Sequence, residues 1–289
     1  MNRMGLMDVE LRQLRCLVAV VDEGTFTDAA IELRMSQAAV SRNIAALEQS
    51  LGTRLVERTT RSVGLTPSGE GVLAKARRIL ALLADLEGEA RAGTGRLRIG
   101  YAWSALGQHT AEFQRRWAAT FASTELHLVR SNTPTAGLAD GSTDLAILRR
   151  LPESAAVEHV RIGEEKRYCS MSSDDPLAHK RSVTLARIAQ RPVAMDLRTG
   201  STTLDLWPES ERPGDVIPTH DVDDWLNLIS SGKARGITAE STAHQYRRRG
   251  IVYRPVRDAP PVRVYAAWSR KEPPRECEQV VQLLKGLYA

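Results

Sequence analysis

The stretch that most constrains this chain is 36–51, Ser-Gln-Ala-Ala-Val-Ser-Arg-Asn-Ile-Ala-Ala-Leu-Glu-Gln-Ser-Leu. Its apolar residues Val40, Ile44, Leu47 and Leu51 recur at steps of four, three and four, which places one apolar stripe on a helix. Ser36 stands where an N-cap belongs and Gly52 where a C-cap belongs. The opposite face at the N-terminal end carries Gln37, Ser41 and Arg42. Glutamine pairs bidentately with adenine and arginine with guanine, while a serine hydroxyl reaches a phosphate or a base edge. A helix with this back and this front suits a DNA major groove. Taken alone it equally suits the surface of an ordinary helical domain, so the flanks decide.

Upstream, Leu11, Leu14, Leu17, Val18 and Val21 mark an amphipathic helix that ends near Gly24. Thr25 caps a second helix, with Asp28 three residues on and an apolar face of Phe26, Ala29, Ala30 and Leu33. Arg34 and Met35 form the turn before the third helix, which makes a helix-turn-helix. Downstream, Leu55-Val56 and 63–65 read as two short strands around a tip of Arg58, Thr59, Thr60, Arg61 and Ser62. Such a wing can lie on phosphates or enter a minor groove, and its bland alternative is a solvated basic hairpin. The chain carries a net charge of +5, but residues 1–91 hold twelve Arg and Lys against twelve Asp and Glu. Overall charge therefore says nothing about DNA binding by this part. Local placement does: Arg34, Arg42, Arg54, Arg58 and Arg61 face only Glu48 and Glu57 between positions 34 and 66.

Thr66-Pro67 opens a long helix with Val72, Ala76, Ile79, Leu83, Leu86 and Ala90 in heptad steps. About 25 residues span roughly 37 Å. The spacing predicts a dimerising strut, the alternative being a helix packed on its own domain. Residues 91–95, Arg-Ala-Gly-Thr-Gly, break it as a hinge.

A chain of 289 residues suggests about two domains, and 42% hydrophobic residues suffice for real cores. No apolar run approaches the roughly 18 residues of a membrane span. The early charges Asp8, Glu10, Asp22 and Glu23 leave no signal-peptide stretch, so the expected location is cytoplasmic. Cys16, Cys169 and Cys277 lie far apart and read as reduced packing residues. From Arg96 strands and helices alternate: strands at 97–101, 125–129 and 144–148, with helices at 105–119 and 133–139. Strands at 192–196, 216–219 and 235–238 follow, with helices from Ser201 and at 222–230. Strands at 251–256 and 262–268 and a helix at 275–287 close the chain. The pattern implies parallel sheets in two α/β lobes with a ligand crevice at the carboxyl ends of the strands.

Residues 9–69 resemble the DNA-binding domain of LysR-type transcriptional regulators. The matching stretches are 10–14, 23–30, 36–42, 47–55, 57–59 and 65–69, in one order. Residues 96–289 resemble that family's effector domain by architecture and by Asp-Leu-Ala-Ile at 144–147. The resemblance implies a winged helix-turn-helix at 1–66, a linker helix at 67–93 and a periplasmic-binding-protein-like α/β domain at 94–289. Lobe I would take 94–167 and 258–289, and lobe II 168–257. The partners it implies are a double-stranded operator, a small effector, further copies of the chain as dimer or tetramer, and RNA polymerase. No cofactor and no membrane are implied. Its DNA contacts carry over to Gln37, Ala38, Ser41, Arg42 and Arg61, with Ser36 and Arg58 nearby. Where the family has proline this chain has Ala38; both offer an apolar surface to a thymine methyl.

Ser104, Thr133 and the 199–203 loop resemble in placement the positions where the family holds small carboxylates. That gives Ser104, Thr133, Thr199, Ser201, Thr202 and Thr203 as effector contacts, with Arg149 as a charge and an anionic or polar ligand. Each hydroxyl can equally be a helix cap. Arg247-Arg248-Arg249 reads as a solvated turn. Asp223 and Asp224 read as helix-start acids rather than metal ligands. The rival from another class is an enzyme working in the same crevice, but the sequence shows no nucleophile–base–orienter set and scatters its six histidines. A constitutive DNA-architectural protein is the third reading.

Overall fold

The computed structural model describes residues 9–58, 63–92 and 95–289. It contains two compact units, one reaching to Gly95 together with Ala139–Ser142, the other comprising Arg96–Leu138 and Thr143–Ala289.

The first unit holds α1 (Leu11–Asp22), α2 (Phe26–Glu32) and α3 (Gln37–Leu51), then strands β1 (Val56–Arg58) and β2 (Val63–Leu65), then α4 (Pro67–Ala92). Each helix starts and stops for a local reason. The Thr25 hydroxyl accepts the Asp28 N–H and the Ser36 hydroxyl accepts the Ala39 N–H, so both caps expected from sequence are present. Arg34 adopts φ 53° in the turn between α2 and α3, and Gly52 takes φ 66° to end α3. The Glu48 carboxylate accepts the N–H groups of Leu55 (2.8 Å) and Val56 (3.1 Å), which fixes the base of the wing to α3. The Thr66 hydroxyl accepts the Gly69 N–H and donates to the Arg54 carbonyl, so the start of α4 is tied to the same place. β1 and β2 pair antiparallel, Val56 opposite Leu65. Leu17, Val20, Val40, Ile44, Leu47, Leu55, Leu73 and Ala76 form the common core.

Of the expected seam on α4, Val72 and Ala76 pack into this core, with Leu73 and Leu80 beside them. The first half of α4 is therefore a helix of its own domain. Farther along, Ile79, Leu82 and Leu86 are exposed, at 44%, 58% and 63%. The side chain of Ala90 lies outside the described residues.

The second unit has two mixed sheets. The first has the order β4-β3-β5-β12-β6, built from β3 (Gly95–Tyr101), β4 (Thr124–Arg130), β5 (Leu145–Leu148), β6 (Val157–Glu165) and β12 (Val262–Ser269). β3 runs parallel to β5, and β12 antiparallel to β5 and β6. The second has the order β11-β7-β10-β8-β9, from β7 (Arg167–Ser172), β8 (Val193–Met195), β9 (Val216–Pro218), β10 (Arg235–Ala239) and β11 (Ile251–Pro255). β8 runs parallel to β9 and β10, while β7 is antiparallel to β10 and β11. The chain crosses between sheets twice, after β6 and after β11. Helices α5 (Thr110–Thr120) and α9 (Cys277–Lys285) supply Phe113, Trp117, Val280 and Leu284 to the core of the first sheet. The second sheet is covered by α6 (Leu185–Ile188), α7 (Val222–Ser230) and α8 (Glu240–Gln245). Trp225 of α7 stacks edge-on against Trp103, their ring centres 5.2 Å apart.

The two-lobed α/β architecture agrees with the sequence reading, and several elements do not. The sheets are mixed rather than parallel. β6, β7 and α8 were not anticipated: β6 is an edge strand whose Glu158, His159 and Arg161 are exposed, so it lacks an apolar signature. The expected helix at 133–139 is a series of turns, because Ala136 (φ 48°) and Gly137 (φ 92°) take left-handed conformations. The helix expected from Ser201 is only a 3-10 turn at Leu204–Leu206 ahead of Pro208. The helix expected from 105 starts at Thr110 after a short 3-10 turn, Gly107–His109. Gly107 (φ 55°) sits against Ser241, whose Cα would lie 2.4 Å from an added Cβ.

Candidate DNA-reading face and effector cavity

On α3 the anchoring and presenting faces separate cleanly. Val40, Ile44 and Leu47 are fully buried, each worth about 1.5–3 kcal/mol of apolar burial. Gln37, Ala38 and Arg42 are exposed and Ser41 is half-buried. Ser36 is exposed with its hydroxyl occupied as the cap. Asn43 is held back on the helix, its side-chain amide donating to the Ala39 carbonyl. Gln37 and Arg42, with half-buried Ser41 beside them, therefore share the outward flank of a firmly held helix. Arg58 ends β1, but its side chain, and Arg61 altogether, lie outside the described residues.

In the second unit a cavity of about 390 Å³ opens between the two sheets, at the ends of β3, β5, β8 and β10. Thr133, Arg149, Thr199, Ser201 and Thr202 line it; Ser104 and Thr203 do not. Each placement has a cause. Ser104 is fully buried, with its hydroxyl 2.8 Å from that of Ser241 and 3.1 Å from that of Thr242. Thr203 turns toward Asp205 (3.5 Å). The Thr133 hydroxyl accepts the Gly137 N–H, and the Thr202 hydroxyl donates to the Ile237 carbonyl. The Thr199 hydroxyl accepts from the Trp103 indole (3.0 Å) and lies near Asp196 Oδ2 (2.6 Å) and Asn132 Oδ1 (2.8 Å). The buried Asp196 accepts the backbone N–H groups of Arg198 and Thr199, which shapes the loop.

Arg149 lines the cavity, yet its guanidinium is already committed. It forks onto Glu165 (3.1 and 2.8 Å) and donates to the carbonyls of Ser104 and Ala105. Glu165 also accepts from the Ser241 hydroxyl (2.6 Å) and the Tyr288 phenol (3.0 Å). Burial works to raise the Glu165 carboxyl, but Arg149, Ser241 and Tyr288 outweigh it and hold it below the usual carboxylate range. Burial likewise works against the Arg149 cation, and Glu165 outweighs it. The cations at this cavity with exposed side chains are Arg150 and Arg198, which donate to the carbonyls of Leu197 and His220. Asp196, Thr238 and Trp225 also line the cavity and were not singled out from sequence. All three come from strand ends or a helix far along the chain, and no local pattern marks them.

A winged helix-turn-helix followed by a two-lobed α/β domain with an interlobe cavity defines a ligand-binding, DNA-reading regulator. Two family models match. Residues 11–70 fit the bacterial regulatory helix-turn-helix protein of the lysR family, and residues 90–289 fit the LysR substrate binding domain. The chain belongs to the LysR family of DNA-binding transcriptional regulators. Among its relatives is the uncharacterized HTH-type transcriptional regulator YnfL of Escherichia coli K12, 37% identical over 69% of this chain and 70% of that one. In fold it is similar to CbnR, a LysR family transcriptional regulator (TM-score 0.70, 22% identity, 97% of this chain and 99% of that one). A similar match is full-length CbnR complexed with its target DNA (TM-score 0.66, 23% identity, 96% and 99%). These relatives are regulators, not enzymes. Among the described residues no helix is long and apolar enough to cross a membrane.

Proposed function

We propose that the chain is a cytoplasmic, effector-controlled regulator that works as a homodimer or a tetramer, with 1–66 as the reading head, 67–93 as the linker and 94–289 as the effector domain. Gln37, Ala38, Ser41 and Arg42 read base edges. Ser36, Arg58 and Arg61 hold the backbone. The observation that carries this reading is the flank of exposed Gln37 and Arg42 with half-buried Ser41 between them, on a helix whose other side is fully buried at Val40, Ile44 and Leu47. The exposed Ile79, Leu82 and Leu86 give α4 an apolar surface for a second copy.

The effector is a small anion or polar metabolite held between Thr133, Thr199 and Ser201, with Arg150 and Arg198 at the mouth. A thiol-based redox signal is not favoured. Burial raises the thiols of Cys16, Cys169 and Cys277, which disfavours the reactive thiolate. Arg42→Ala is expected to weaken binding to the cognate operator by about 1–3 kcal/mol. The check is a gel-shift titration against an unrelated duplex, and equal loss on both duplexes would reassign Arg42 to backbone contact.

A further inference from the structure

The effector half contains three arginines with buried side chains near its crossings and sheets, and two of them have a carboxylate. Arg149 forks onto Glu165, and Arg235 forks onto Asp175 at 2.9 and 2.9 Å. Arg167, the first residue of β7, is the exception. It is 9% exposed, and its guanidinium donates to two neutral carbonyls, Pro260 (2.9 Å) and Ser201 (2.9 Å). No carboxylate among the described residues pairs with it. A buried cation without a counter-ion is costly and is rarely left so.

Arg167 lines a second cavity, of about 470 Å³, beside both crossings between the sheets. Arg150 and Arg263 line the same space with exposed side chains, and Pro260 and Pro261 supply its wall. Its one further carboxylate, Glu164, is bridged to Arg161 at 2.7 Å. Glu164 also stands opposite Arg263 in the β6–β12 register, so one carboxylate shares the lining with Arg150, Arg167 and Arg263, and among the described residues Arg167 and Arg150 have no carboxylate partner.

We propose that this cavity is an anion site distinct from the effector cavity, taking a small multivalent oxyanion such as a phosphate or a polycarboxylate as the counter-ion of Arg167. Burial lowers the Arg167 pKa to about 10, still far above neutrality, so the side chain presents a full positive charge to such a ligand. The site adjoins the effector cavity through Arg149, Arg150 and Leu151, which line both. Arg167 also holds the carbonyl of Ser201, which lines the effector cavity. An anion that draws the guanidinium away from that carbonyl would change the effector loop, and linkage makes the influence mutual.

The test titrates the full chain with inorganic phosphate and with citrate by calorimetry, at constant ionic strength and without any effector. Saturable heat with at least one anion is expected, and the stronger of the two identifies the oxyanion or the polycarboxylate class. Arg263→Gln, an exposed change, is expected to weaken that binding about tenfold, as loss of one charge-assisted hydrogen bond does, while Arg181→Gln, at an exposed residue that does not line the cavity, leaves it unchanged. Arg167→Met is expected to abolish the heat while its own melting temperature reports whether it folds. Absence of saturable heat in the parent, or equal weakening by Arg263→Gln and Arg181→Gln, overturns the proposal. Neither outcome bears on operator reading or on the effector cavity.

Discussion

Glu165→Gln is a sharp probe of how the effector half is held. Every neighbour of this carboxylate is a donor: Arg149 twice, the Ser241 N–H and hydroxyl, and the Tyr288 phenol. Glutamine keeps the shape but replaces one oxygen with an NH2. Whichever way the amide is turned, its NH2 meets at least two donors, and Arg149 stays buried without a counter-charge. Breaking a buried pair from one side costs about 3–5 kcal/mol. At roughly 2–4 °C per kcal/mol for a unit of this size, the melting point should fall by about 6–20 °C. The assay is unusually clean because Trp103, Trp117, Trp207, Trp225 and Trp268 all lie in the second unit, so tryptophan fluorescence follows its unfolding alone. The pH dependence has a definite sign. The Glu165 pKa is depressed in the folded state, so its contribution is complete above the ordinary carboxylate value of about 4.3 and fades as pH falls below it. The gap between parent and variant should be constant from about pH 5.5 to 8 and narrow near pH 3.5. The double change Arg149→Met with Glu165→Leu leaves no orphan charge but takes the partners of the Ser104 and Ala105 carbonyls and of Ser241 and Tyr288, so it should recover only part of the loss. A Glu165→Gln loss under about 1 kcal/mol would refute the reasoning.

Calorimetry of the full chain over a panel of small metabolites is expected to give heat with anionic or polar compounds; heat only with apolar cations would overturn the effector assignment. The pair Leu82→Glu with Leu86→Glu is expected to shift the sedimenting species toward monomer with unchanged helix content, because both side chains are exposed in the single chain. Sedimentation identical to the parent would remove α4 from the subunit contact.

What the sequence revealed follows the range of the interactions involved. Periodicity reports which side of a helix is buried, so Val40, Ile44 and Leu47 were legible, and with them the outward flank of Gln37 and Arg42. Caps act over three residues, so Thr25, Ser36 and Thr66 were legible too. Arg149 lines the cavity and Ser104 is buried outside its lining, and the engagements of neither were legible. Those depend on Ser241, 137 residues away from Ser104, and on Glu165 in an edge strand with no apolar signature. The α4 seam failed at its start for a related reason: a heptad pattern does not say whether its partner is another copy or the domain that precedes it. Val72 and Ala76 found the latter.

The same partners suggest how a ligand could be sensed on the proposed reading. The two lobes are joined at the cavity by the Trp103 indole donating to Asp196 and Thr199, and by Asn132, whose Oδ1 accepts from the Thr199 hydroxyl and whose amide donates to the His220 carbonyl. The Thr199 hydroxyl has one hydrogen and two acceptors, Asp196 and Asn132, within reach. A carboxylate in the cavity that accepts this hydrogen takes it from both. Asn132 then loses one of its two ties to the opposite lobe, while the ligand itself supplies a new bridge. The lobes therefore have different contacts with and without ligand, which is the differential free energy that a population shift requires. Thr199→Val removes the hydrogen without the ligand. It should leave the unliganded variant shifted from the parent in its interlobe geometry and weaken its response to any anionic effector.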